Sequence, residues 1–212
     1  MSARQHQVRA LLAASPVVPV ITIDDANDAV PLAHALLAGG IAAIEITLRT
    51  AAAMAAAQRI AAEVPEAILG IGTVLTPEDF ARAQAIGARF ALSPGATPRL
   101  LAAAAATDFP FIPGIATASE LMAALEAGFD VVKFFPAEAM GGIKGLRALA
   151  GPFPSVRFCP TGGISEANAG DWLKEKTVLA VGGSWIAPPD LIRARNWAEI
   201  TARAKAAKAL RG

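Results

Sequence analysis

The chain has 212 residues, 54% of them hydrophobic, and its 19 Lys plus Arg against 18 Asp plus Glu leave a formal net charge of +1. So apolar a composition excludes a disordered chain, and the length allows one large domain or two small ones with a sizeable core. The absence of a concentrated basic block argues against a nucleic-acid partner, and a single cysteine excludes an intramolecular disulfide, which fits a reducing cytoplasm.

From the N-terminus, residues 1–14 carry Arg4, Gln5, His6, Gln7 and Arg9 in an apolar run too short and interrupted for a signal segment. They are expected to form a helix that closes the floor of the fold. Eight β-branched or aromatic runs follow over 17–184: VVPVIT from Val17, AIEIT from Ala43, ILGIGTV from Ile68, FALSP from Phe90, FIPGI from Phe111, VVKFF from Val131, RFCPTG from Arg157 and VLAVGGS from Val178. Their starts lie 20 to 26 residues apart, room for one strand, one crossover helix and two short loops each time. The intervening helices have readable ends. Asp24 or Asp25, Thr76, Thr97, Thr117 and Ser165 stand as N-caps, Pro77 and Pro98 follow in first turns, Thr117 to Glu120 reads as a capping box, and Gly39, Gly87 and Gly128 supply left-handed stops. Pro31 falls inside the first of these helices and should kink it or mark its start. The Ala-rich stretch around Ala51 to Ala57 is flanked by Arg49, Gln58 and Arg59 and is too short to span a bilayer, so no membrane association is expected. A C-terminal helix is expected over 188–210.

Eight β-then-α units in about 200 residues, apolar on both strand faces, predict an α/β fold: a single (β/α)8 TIM barrel over residues 1–212 with an extra N-terminal helix. The competitor is an open doubly wound sheet. No GxGxxG follows the first strand, as a dinucleotide-binding sheet would require.

In such a barrel, polar residues at the carboxyl ends of strands need a chemical reason. Lys133 stands in VVKFFPAE between Val and Phe neighbours, and alternation places 131, 133 and 135 on one face. If helices cover 132 and 134, Lys133 points inward, where an amine that gives up its proton can attack a carbonyl; the alternative is a lysine snorkelling at the strand end or paired with a carboxylate. Glu45, in AIEIT, points inward by the same alternation beside small Ala43. Together the two suit proton shuttling beside an imine or, equally, a structural ion pair. The loops CPTGGIS and AVGGSWIAP end strands seven and eight, the position where glycine N–H groups cradle phosphate, with Ser184 as a hydroxyl donor. Arg49 lies at the mouth of the Glu45 strand, where its planar fork could clamp a carboxylate, and Thr73 and Pro94 end strands three and four. Cys159 reads as core, and His6 and His34 lie on predicted helices away from the strand ends. Neither a Cys-x-x-Cys nor a His-Glu-x-x-His pattern is present, so no metal site is expected.

These residues resemble the 2-keto-3-deoxy-6-phosphogluconate (KDPG) aldolases, class I enzymes of the Entner–Doudoroff pathway. The resemblance runs through PVITIDD, GGIAAIEITLRT, GIGTVLTPED, SPG, FIPGIATASE, VVKFFPAEAMGGI, PTGGIS and VGGSW, nearly end to end. It implies that Lys133 forms the imine and Glu45 is the general acid and base. It further implies that Arg49 and Thr73 contact the substrate carboxylate, that Pro94 and Phe135 shape the pocket, and that Gly162, Gly163, Gly183 and Ser184 receive the phosphate. Thr161 would lie near the C4 hydroxyl and favour the gluconate-derived substrate over its galactonate epimer. The implied partners are a phosphorylated ketoacid and pyruvate, with no cofactor, and the family commonly forms homotrimers; the cytoplasmic location expected from the single cysteine is consistent with this. Its members also cleave 4-hydroxy-2-oxoglutarate. A non-catalytic phosphosugar-binding barrel, or a phosphate-binding isomerase or transferase, is the rival reading; neither needs a lysine enclosed between Val and Phe.

Overall fold

In the computed structural model, which describes residues 3–211, parallel strands alternate with helices along the chain. Helix α1 (Ala3–Ala14) precedes β1 (Val17–Ile21), and a 3-10 turn at Ala26–Asp28 feeds α2 (Ala29–Ala38). Then come β2 (Ala43–Thr47), α3 (Ala53–Glu63), β3 (Ile68–Gly72), α4 (Pro77–Ala85), β4 (Phe90–Leu92) and α5 (Pro98–Ala105). The second half runs β5 (Phe111–Ile112), β6 (Gly114–Ile115), α6 (Ala118–Glu126), β7 (Val131–Phe134), α7 (Gly142–Ala150), β8 (Arg157–Phe158), α8 (Glu166–Leu173), β9 (Val181–Gly183), α9 (Pro189–Arg193) and α10 (Trp197–Lys208).

The helix starts follow from side-chain chemistry. The Thr76, Thr97 and Thr117 hydroxyls accept from the backbone N–H three residues on, at 3.1, 3.2 and 3.3 Å. Pro31 sits in the first turn of α2, where its missing N–H removes no helical bond. The stop expected at Gly39 falls one residue later: Gly39 stays right-handed at φ −83°, pressed against α10, and Gly40 takes φ +82°. The one C-terminal helix expected over 188–210 is two, α9 and α10, because Arg195 turns to φ +52° and Asn196 starts a new cap on the Glu199 N–H.

The expected closed eight-stranded barrel is not what forms. The strands divide into a six-stranded parallel half-barrel, in the order β5-β4-β3-β2-β1-β9, and a second, three-stranded sheet β6-β7-β8. Proline is the physical reason at one seam. Pro113 has no N–H to give the ladder, and it splits the run FIPGI, expected as one strand, between the two sheets. At the other seam β8 is two residues long between Pro154 and Pro160, and the chain from Arg157 meets the one leading into β9 through the isolated bridges Phe158 to Val178 and Thr161 to Gly182 instead of a ladder.

Alternation still sorts the side chains into two layers. Val18, Ala43, Phe90, Leu92, Ile112, Val131, Cys159 and Ala180 face inward and pack with Val8 and Leu12 of α1, while Ile44, Ile46, Val132 and Phe134 face the helices. α1 therefore covers one end of the strands. Its Arg4 donates to the carbonyls of Ala104, Ala105, Thr107 and Ala127, which end α5 and α6, and stacks over Phe129 at 4.5 Å. The Gln5 amide oxygen accepts from the N–H groups of Asp130 and Val131 at the start of β7. Among the described residues, no helix is long and apolar enough to cross a membrane.

Candidate active site

The inward faces of β2 and β7 bring Glu45 and Lys133 together. Lys133 Nζ donates to Glu45 Oε1 at 3.0 Å, and the residues are 3% and 1% exposed. Taking two charges out of water at these positions is unfavourable unless they neutralise each other, which this contact does. The second carboxylate oxygen, Oε2, is buried and has no hydrogen-bond partner among the described residues. Room for Glu45 comes from Gly72, where any Cβ would overlap the carboxylate. Cys159 lies beside the pair, and burial pushes its thiol up to about 12, so it stays protonated and apolar there.

A cleft of about 100 Å³ is lined by Val20, Arg49, Phe135, Thr161, Gly162 to Ile164 and Gly182 to Ser184, and neither Glu45 nor Lys133 is part of its lining. Seven residues singled out from the sequence therefore meet at one place: Arg49, Phe135, Thr161, Gly162, Gly163, Gly183 and Ser184. The Phe135 ring joins this cleft to the buried pair, with Lys133 Nζ 5.7 Å from its centroid. Thr161, buried under the cleft, packs against Gly182. Thr73 is outside the lining but tied to it, because Arg49 Nε donates to its hydroxyl at 3.2 Å. Thr73 holds φ +60°, a conformation that strains a β-branched residue and that gathers at functional positions. Pro94 does not line the cleft; it packs against Gly114, whose β6 position pairs with Lys133.

The two glycine loops are built differently. Gly162 and Gly163 take φ +100° and +77° and lead through Ile164 and Ser165 into α8. Gly183 closes β9 and lets the Trp185 ring lie against the backbone, while Arg203 of α10 donates to the Trp185 carbonyl at 2.9 Å. Val20, Ile164 and Gly182 were not singled out from the sequence. Val20 was signalled by inward alternation from Val18, and the other two are chain neighbours of the predicted glycines.

Electrostatically the cleft combines one guanidinium, backbone N–H groups and the Ser184 hydroxyl beside a lysine and a carboxylate. Such a set can hold an anion at one end, a carboxylate at another, and present an amine to a carbonyl between them. Among the described residues no group of three or more His, Cys, Asp or Glu is placed to hold a metal ion. A larger groove of about 530 Å³, lined by Arg147, Lys174 and Glu175, lies where α7 and α8 end and contains no strand residue.

Comparison with known proteins agrees with this chemistry. The family model described as KDPG and KHG aldolase matches residues 8–203. A KHG/KDPG aldolase of Escherichia coli (strain K12) is 53% identical over 197 residues, covering 93% of this chain and 92% of that protein. Among solved structures, the KDPG aldolase of Legionella pneumophila, with pyruvate captured at low pH as a covalent carbinolamine intermediate, superposes with a TM-score of 0.92 at 49% identity, covering 94% and 97% of the two chains. The 2-keto-3-deoxy-6-phosphogluconate aldolase of Zymomonas mobilis ZM4 with 3-phosphoglycerate superposes with a TM-score of 0.91 at 43% identity, covering 98% and 97%.

Proposed function

The chain belongs to the KDPG and KHG aldolase family, and from that membership we propose that it is a class I aldolase cleaving 2-keto-3-deoxy-6-phosphogluconate to pyruvate and glyceraldehyde 3-phosphate. The observation that carries this reading is the enclosed 3.0 Å contact between Lys133 and Glu45 beside a cleft edged by two glycine loops. A structural ion pair alone would not need a cleft beside it.

In this reading the Lys133 proton passes to Glu45 across their contact, and the freed amine attacks C2 of the ketoacid. Glu45 gives that proton to the carbonyl oxygen, forming a carbinolamine, then takes a second proton from the nitrogen and passes it to the same oxygen, which leaves as water and leaves an iminium. The iminium accepts the electron pair of the C3–C4 bond as the C4 hydroxyl gives its proton to Glu45, so glyceraldehyde 3-phosphate departs and an enamine is left. Glu45 protonates C3, and water then hydrolyses the iminium to release pyruvate and restore Lys133. Arg49 and Thr73 hold the substrate carboxylate, and Phe135 covers the reacting carbons with Pro94 behind β6. The N–H groups around Gly162, Gly163 and Gly183, with Ser184, take the phosphate, whose remote binding energy holds the scissile bond over the amine. Thr161 faces the C4 hydroxyl and favours the gluconate-derived epimer.

A second substrate belongs to the same reading. 4-Hydroxy-2-oxoglutarate carries no phosphate, so it needs the buried pair and Arg49 but makes no use of the anion-binding N–H groups of the glycine loops that share the cleft with Arg49. The reading also includes a cytoplasmic homotrimer: phosphorylated sugars are retained in the cytoplasm, and the exposed side chains of Leu75 and Met122 are apolar surface available to other copies.

A coupled assay of pyruvate release from KDPG, its galactonate epimer and 4-hydroxy-2-oxoglutarate, run side by side, tests the reading. KDPG is expected to give the highest kcat/KM. No pyruvate from any of the three overturns the assignment.

A further inference from the structure

Glu138 lies in the loop after β7, five residues beyond Lys133, and is exposed at the surface. Its carboxylate nevertheless reaches α8. Trp172 is fully buried and its indole N–H needs an acceptor, which Glu138 Oε1 supplies at 2.8 Å. The same oxygen accepts from Asn168 Nδ2 at 3.2 Å. An Asn amide can present its oxygen or its nitrogen to either side, but a carboxylate only accepts, so it fixes which way round the amide lies. With Nδ2 turned to Glu138, Asn168 Oδ1 receives the Ser165 N–H at 2.8 Å and Nδ2 also reaches the Gly163 carbonyl at 3.3 Å.

The backbone of Glu138 completes the clamp by donating its N–H to the Gly162 carbonyl at 3.1 Å. In a planar trans peptide the carbonyl and the following N–H point in opposite directions. Holding the carbonyls of Gly162 and Gly163 toward Glu138 and Asn168 therefore turns the N–H groups of Gly163 and Ile164 the other way, and both residues line the cleft. Neither N–H donates to another described residue. The stem of Glu138 also forms the floor of this loop, since a Cβ on Gly163 would come within 2.6 Å of Glu138 Cβ and Cγ.

We propose that Glu138 is the positioning residue of the phosphate loop, orienting the Asn168 amide so that the Gly163 and Ile164 N–H groups face the phosphate of the substrate. The inference rests on the aldolase reading above and adds to it a residue that touches no reacting atom. Its signature is a defect confined to phosphate recognition.

The test measures KM for KDPG, competitive inhibition by inorganic phosphate, and borohydride trapping of pyruvate on Lys133, which involves no phosphate group. Glu138→Ala is expected to raise KM for KDPG and the phosphate inhibition constant together, by about tenfold, with pyruvate trapping unchanged. Glu138→Asp keeps the charge but loses the reach to Trp172 and is expected to behave like Glu138→Ala. Glu138→Gln, whose amide oxygen can still accept from the donor-only indole, should stay near the parent. Trapping that falls in step with KDPG cleavage, an unchanged KM in Glu138→Ala, or rescue by Asp and not by Gln each overturns the proposal. Should Glu138→Ala not fold, the order of the Asp and Gln variants decides alone. Failure of the aldolase reading looks different: the parent protein itself would release no pyruvate from KDPG.

Discussion

At the scale of single residues, the proposed chemistry rests on one buried acid and one buried amine. Removing the acid while keeping its shape isolates its part: Glu45→Gln is expected to lower kcat on KDPG by about 10²–10⁴-fold while inorganic phosphate inhibits as before, a comparison that steady-state kinetics makes directly. Unchanged kcat would leave the carboxylate a structural partner only. Both residues were legible in the sequence because a charged side chain at an inward strand position is conspicuous among Ala43, Val131 and the Phe residues. Thr73 was legible as a strand end, but its φ of +60° was not, since nothing local in GIGT demands a left-handed threonine. Glu138 was not legible at all. Its partners Asn168 and Trp172 lie 30 and 34 residues away, and only the fold brings them to it.

At the scale of elements, short-range chemistry was read well and long-range closure was not. β-branched runs and Thr caps act over a few residues, so the positions of β1 to β4 and the starts of α4, α5 and α6 could be taken from the chain. Whether neighbouring strands complete a ladder depends on register between distant segments, and the two seams at Pro113 and at β8 belong to that class. Pro113 was in principle a signal, because a proline inside a central strand removes a ladder donor. One cap also carries a pH dependence. Burial raises the Asp79 carboxyl, but the Arg82 contact and the N–H groups of Leu75 and Thr76 outweigh it and hold the group below its ordinary value of 3.8. A lowered acid contributes stability that is fully present above 3.8 and is lost as pH falls through the lower folded value. The stability gap between the parent and Asp79→Asn, followed by urea denaturation across acid pH, is expected to be constant above that range and to narrow below it. A gap that widens on acidification would contradict the assignment.

At the scale of the whole molecule, the two ends of the strands do different work. α1 seals one end through Arg4, Gln5, Val8 and Leu12, and no residue of that seal lines the cleft at the other. Arg4→Ala removes a buried cation from four carbonyls and is expected to lower stability by about 1.5–3 kcal/mol in urea denaturation, with KM for KDPG unchanged. A raised KM without lost stability would mean that the seal reaches the chemistry.

Between these ends the fold brings together two residues 88 positions apart in the chain, and that juxtaposition is the central claim. Borohydride reduction in the presence of pyruvate, followed by peptide mass analysis, tests it most directly. The expected result is a single pyruvate-derived mass on the Lys133 peptide, absent when borohydride or pyruvate is omitted. A mass on any other lysine, or an unmodified Lys133 in protein that still cleaves KDPG, would contradict the account.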